Sequence, residues 1–117
     1  MEFVSIIDDE ATVRRATSSL LRSLGFSVQT FVSAEEFLDS EFAMTTSCIV
    51  SDVHMQGMSG IDLFMRLQSC ERKIPFIFIT AFAEEVVRQR VGQDVCVLQK
   101  PFEAEVLASC IEQALSS

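Results

Sequence analysis

Five short apolar runs, Phe3–Ile7, Phe26–Thr30, Ser47–Ser51, Phe76–Ile79 and Val95–Leu98, alternate along the chain with stretches of helical spacing. Each run is too short for a helix, and each is bounded by polar or turn residues, so each reads as a strand. Between the first two, Val13, Ala16, Leu20, Leu21 and Leu24 recur at steps of three or four, and Gly25 follows where a left-handed cap is wanted. Ser33-Ala34-Glu35-Glu36 has the pattern of a capping box opening a short second helix with Phe37 and Leu38. Ser59-Gly60-Ile61-Asp62 opens a third, with Ile61, Phe64, Met65 and Leu67 as its stripe. Val86, Val87 and Val91 mark a fourth, and Val106, Leu107, Cys110, Ile111 and Ala114 a fifth running to the C-terminus. Strands alternating with helices demand parallel pairing through right-handed crossovers, and runs apolar on both faces demand helices on both sides. The expected fold is a single open, doubly wound α/β domain.

A length of 117 residues fits one domain, and no linker, repeat or low-complexity segment divides it. With 9 basic against 17 acidic residues the net charge is −8, which disfavours nucleic acid and anionic membrane surfaces as direct partners. No apolar run approaches the ~18–20 residues that span a bilayer. The segment Met1–Ile7 lacks the basic stretch and cleavage site of a signal peptide, so the expected location is the cytoplasm. Cys48, Cys70, Cys96 and Cys110 are separated by 22, 26 and 14 positions with no CxxC pair, against a zinc or thioredoxin-like site. Three of them lie in apolar segments and read as buried free thiols of a reducing compartment.

In a doubly wound sheet, ligands bind outside the carboxyl ends of the strands. The residues that follow the runs are Asp8-Asp9 after the first, Asp52 after the third, Thr80 after the fourth and Gln99-Lys100-Pro101 after the fifth. Taken singly, the aspartates read as caps or turn residues, Thr80 as a turn residue and Lys100 as a solvated cation. Together they place three carboxylates, a hydroxyl and an ammonium on one edge, which points to a shared site. Crowded carboxylates call for a hard divalent cation, and Mg²⁺ fits best, with Mn²⁺ sharing its ligand preference. Lys100 and Thr80 would then surround a phosphoryl group, for which Asp52 is a competent nucleophile.

The motifs Ile6-Ile7-Asp8-Asp9-Glu10, Ser51 to Gly60, Thr80-Ala81 and Lys100-Pro101-Phe102 resemble the receiver domains of two-component response regulators, over essentially the whole chain. The stretch Met55 to Gly60 and Lys100-Pro101-Phe102 are most similar to the FixJ/LuxR-type branch, whose members often carry a DNA-binding domain after the receiver. The resemblance implies a flavodoxin-like (CheY-like) sheet of order 2-1-3-4-5 over residues 1–117, with any output domain outside this chain. It implies that Asp52 accepts a phosphoryl group from a sensor histidine kinase or a histidine phosphotransfer protein. It implies that Asp9, Asp52 and the His54 backbone carbonyl ligate Mg²⁺ while Asp8 acts through water. Thr80 and Lys100 would contact the phosphoryl oxygens, and Lys100-Pro101 is a candidate cis bond. Phosphorylation would then act through the fourth helix, fifth strand and fifth helix, with a homodimer as the family-like output.

Three departures bear on the switch. Gln56 stands where the family usually has proline, which predicts a less rigid loop. Val97 stands where the family usually has Tyr or Phe, and the chain holds no Tyr or Trp, leaving Phe82 to take over part of that signal. The segment from Thr80 to Lys100 is about two residues shorter than in related receivers. His54, the sole histidine, reads as a loop residue that stands two positions from the acceptor. Two other readings remain: a constitutive pseudo-receiver that binds partners without switching, and a small Mg²⁺-dependent phosphohydrolase using the same aspartate.

Overall fold

Apolar side chains alternate along the central strands, and the two sets face two separate cores. In the computed structural model, which describes residues 2–70 and 73–116, Phe76 and Phe78 join one core while Ile77 and Ile79 join the other. Met1 and Ser117, the ends of the expected domain, lie outside the described residues. The strands are β1 (Val4–Ile7), β2 (Val28–Phe31), β3 (Cys48–Asp52), β4 (Phe76–Thr80) and β5 (Cys96–Gln99). They are all parallel, in the order β2-β1-β3-β4-β5. The connecting helices are α1 (Ala11–Ser23), α2 (Ala34–Asp39), α3 (Gly60–Ser69), α4 (Glu84–Val91) and α5 (Ala104–Ser116). A 3₁₀ turn at Glu41–Met44 leads from α2 into β3.

One core packs α2, α3 and α4 on the sheet around Phe37, Leu63, Phe64 and Val87. The other packs α1 and α5 around Leu21, Leu107 and Ile111. Every residue of β1, β3 and β4 is buried, as a strand covered on both faces requires. The outer strands depart from the expected apolar pattern: Gln29 and Thr30 of β2 and Gln99 of β5 are exposed, because helices do not reach over the sheet edges.

Local signals set most of the boundaries. Gly25 has φ +96°, its amide donates to the Arg22 carbonyl and that of Phe26 to the Leu21 carbonyl, a Schellman closure of α1. The reciprocal capping box forms at Ser59 and Asp62 of α3. At α2 only half of the expected box forms: Ser33 Oγ accepts from the Glu36 amide, while Glu36 Oε1 accepts from Val32 rather than Ser33.

Hydrophobic spacing misplaced parts of three helix faces. In α1 the buried residues are Thr17, Ser18 and Leu21, whereas Ala16 and Leu24 are exposed. Thr17 and Ser18 share the face of Leu21, four and three positions before it, and Leu24 is the C-cap residue beyond the last turn. In α3 Leu63 is buried and Met65 exposed, and in α4 only Val87 is buried while Val86 faces solvent.

Ser18 Oγ is buried with no hydrogen-bond partner among the described residues. Replacing it with alanine removes an unpaired hydroxyl and improves helix propensity. Ser18→Ala should therefore stabilise the domain by about 1 kcal/mol, read as a higher urea midpoint with an unchanged slope.

Candidate functional site at the carboxyl edge of the sheet

Parallel register brings the strand ends into line. Asp52 pairs beside Ile79, and Thr80 beside Gln99, so the Asp52 carboxylate, the Thr80 hydroxyl and the residue before Lys100 share one edge. The Lys100 amide donates to the Thr80 carbonyl at 2.7 Å, fastening the ends of β4 and β5 together. The Lys100–Pro101 peptide bond is cis.

Asp52 is only 6% exposed, so its charge needs partners. Lys100 Nζ lies 3.3 Å from Asp52 Oδ2, and the His54 amide donates to Oδ1 at 3.3 Å. Gly60, the first residue of α3, lies so close behind that a Cβ there would overlap the Asp52 carbonyl oxygen. The Gly60 amide donates to the Val53 carbonyl at 3.0 Å, which holds the α3 start against the strand end. Only glycine fits between them.

The carboxylate oxygens of Asp8, Glu10 and Asp52 lie within 4.8 Å of one another. Asp8 Oδ1 accepts from the Glu10 amide at 2.9 Å, and Arg14 Nη1 donates to the Asp8 carbonyl at 2.8 Å. Burial and the Asp52 charge nearby push the Asp8 carboxyl above its ordinary value, against the opposing pull of that amide and of Lys100. Glu10 escaped the sequence reading because it also stands where a helix begins. Its signal was its place at the end of the Ile6-Ile7-Asp8-Asp9-Glu10 motif, where no ligand role was assigned to it.

Asp9 takes a different partner: its Oδ2 accepts from the Gln56 amide at 3.1 Å. A proline at 56 has no amide hydrogen to offer, so the departure from the family pattern creates this contact. The same loop is braced from α2, where Glu35 Oε2 accepts from the Met58 amide at 3.0 Å and its carboxyl is held below the usual range. Gly57, at φ +78°, brings its backbone against that carboxylate. The loop that sequence predicts to be less rigid is thus tied at both 56 and 58.

Thr80 is fully buried, and its Oγ1 accepts from the Phe82 amide at 3.0 Å. The Phe82 ring is 58% exposed and meets the His54 ring edge-on with centroids 4.6 Å apart. Val97 is buried in the α4-side core, beside Phe78 in the register.

The clustered donors are carboxylate oxygens, the class that hard divalent cations take, and three carboxylates face the single ammonium of Lys100 among the described residues. The acidic pocket is therefore compatible with a divalent cation. Without one, the carboxylates repel. Because the folded state holds the Asp8 proton more tightly than the unfolded chain, ionising Asp8 weakens the fold as pH rises through its raised pKa. In chelator at pH 7, Asp8→Asn should stabilise the domain by about 1 kcal/mol. Urea melts should show the gain shrinking as pH falls toward the ordinary carboxylate range.

Residues 4–112 match the family model of the response regulator receiver domain. The chain is 37% identical over 115 residues to the transcriptional regulatory protein TdiR of Thauera aromatica, covering 97% of this chain and 51% of that protein. It is 36% identical over 115 residues to the transcriptional regulatory protein FixJ of Bradyrhizobium diazoefficiens, covering 96% of this chain and 56% of that protein. It thus spans about half the length of these curated relatives. A solved FixJ-N structure superposes with a TM-score of 0.86 at 34% identity, covering 99% of this chain and 94% of that one. The response regulator StyR superposes with a TM-score of 0.87 at 39% identity, covering 98% of this chain and 59% of that one. No helix among the described residues is long and apolar enough to cross a membrane. With its order β2-β1-β3-β4-β5, its carboxyl-edge acids and these relatives, the chain belongs to the receiver-domain family of two-component response regulators, in company with the FixJ-type transcriptional regulators.

Proposed function

We propose that this domain takes a phosphoryl group onto Asp52 from a phosphohistidine of a sensor kinase or a histidine phosphotransfer protein. The observation that carries this reading is the buried Asp52 carboxylate with Lys100 Nζ at 3.3 Å, at the edge where Asp8 and Glu10 also converge. An Asp52 oxygen attacks phosphorus, the P–N bond breaks, and an acyl phosphate remains on the chain. Lys100 neutralises charge on the transferred oxygens, and Thr80 donates its hydroxyl proton to one of them while still accepting from Phe82. Asp8, Asp9, Asp52 and the His54 carbonyl are the groups proposed to hold Mg²⁺ or Mn²⁺, with Asp8 acting through water. When bound, that ion supplies neutralisation of the acids and of the incoming phosphoryl oxygens. Domain control through α4, β5 and α5, by homodimerisation or by an attached transcriptional output domain, is the proposed response. The acyl phosphate is returned to water by the domain itself rather than passed through a substrate cycle.

The switch needs an element of low local stability, and α4 supports that role. It has no side-chain N-cap bond, one buried residue and a Gly92 C-cap at φ +95°. A second reading, the constitutive interaction module, is favoured by one observation: Val97 is fixed in the core, and no aromatic ring occupies its place. Under that reading Asp52 still takes the phosphoryl group, but partner binding and oligomeric state do not respond.

Incubation with Mg²⁺ and acetyl phosphate should add one phosphoryl mass to the wild type and none to Asp52→Asn. An unlabelled wild type, where a control receiver labels, removes the proposal. Size exclusion of the labelled protein should show earlier elution, and unchanged elution despite full labelling would select the constitutive module.

A further inference from the structure

At the opposite edge of the sheet, Cys96 opens β5 and Cys110 lies in the middle of α5, which packs across the strands. Sequence spacing made these two of several buried free thiols; the structure instead leaves both half-buried and facing one another, with Cys96 Sγ donating to Cys110 Sγ across 2.7 Å. Cysteines whose Cβ vectors diverge cannot be bridged without moving backbone, and the 2.7 Å between these two sulfurs places their side chains against each other. Both also line a cavity of about 520 Å³ that includes Lys73, Asp94, Gln113 and Ile77. Its volume lies in the range that holds small molecules. It is separate from the phosphoacceptor edge, since its strand residues start β4 and β5 rather than end them.

We propose that Cys96 and Cys110 are a redox modification site, closing a reversible intramolecular disulfide that fastens β5 to α5. The oxidant is a small-molecule disulfide of the glutathione class, admitted through the cavity. The Cys110 thiolate attacks one sulfur of that disulfide, forming a mixed disulfide and releasing one thiolate, which takes up a proton. The Cys96 thiolate then attacks Cys110 Sγ, the mixed bond breaks, and the second small thiol leaves. Two protein thiols are oxidised and one small disulfide is reduced to two thiols. Burial pushes the Cys96 thiol up to about 12, and the same link results whichever of the two thiolates attacks first. Cys48 is nearby but fully buried, with its thiol also pushed up to about 12, which keeps it a bystander. Cys70 is exposed on the far end of α3 and takes no part.

The test uses the full chain carrying Cys70→Ser, treated with oxidised glutathione, alkylated and digested without reductant. The expected product has lost two hydrogens, carries a Cys96–Cys110 peptide link and returns to two alkylatable thiols with dithiothreitol. Closing this loop should raise the melting temperature by about 10 °C over the reduced form. Cys96→Ser and Cys110→Ser should each abolish the link and leave the remaining cysteine of the pair outside any intramolecular disulfide. Thiols that all remain alkylatable, or a link from Cys48 to Cys110, would overturn the proposal. Circular dichroism of each variant separates these outcomes from misfolding.

Discussion

Burying an ionised carboxylate at the end of a central strand is the demand that organises this domain. Asp52 sits where β3 meets α3, nearly closed from water, and such a group is tolerated only where charge and hydrogen bonds compensate it. Lys100 arrives from β5, the His54 amide from the following turn, and the absence of a side chain at Gly60 leaves room for the strand end. Lys100 reaches Asp52 across 48 positions of chain only because β3, β4 and β5 pair in parallel. The core exists to hold that pairing, with Phe76 and Phe78 against Phe64 on one side and Ile77 and Ile79 under α5 on the other.

Stability is unevenly distributed around this edge. The β3–α3 loop is held by Asp9, Glu35 and the Ser59–Asp62 box, whereas α4 rests on Val87 and on Arg88, which bonds the Val95 carbonyl and pairs with Glu84. Exposed ion pairs of this kind add little, so α4 has few interactions to lose on moving. Phe82 and Val86 leave apolar surface in the open on the same segment. Under the proposed function, the rigid half would position the chemistry and the loose half would report it.

The strand ends were legible in the sequence because a parallel sheet sends every carboxyl end to one edge, which brings Asp52, Thr80 and Lys100 together whatever the loops do. Contacts made by backbone amides were not legible. The Gln56 amide reaching Asp9 depends on the direction of one peptide plane, across 47 positions of chain. The inward face of α1 was misread for a related reason. Periodicity ranks residues by polarity, while buried Leu21 fixes the helix face and carries Thr17 and Ser18, four and three positions earlier, inward with it and Ala16 outward. The facing of Cys96 and Cys110 joins a strand to a helix, a relation no local spacing encodes.

The register between β4 and β5 also acts as a ruler on the gene. Thr80 beside Gln99 fixes one end of the α4 segment and Ile77 beside Cys96 the other strand's start. A codon gained or lost inside either strand would turn every later side chain to the opposite face and carry Lys100 away from Asp52. Between β4 and β5, a change in length that keeps Lys100 beside Asp52 must therefore fall in α4 and its flanking loops, between Ala81 and Val95, where α4 buries only Val87. The segment that can change length without moving Asp52 or Lys100 is the one that leaves Phe82 and Val86 in the open, so its outer surface can be rebuilt independently of the carboxyl-edge cluster.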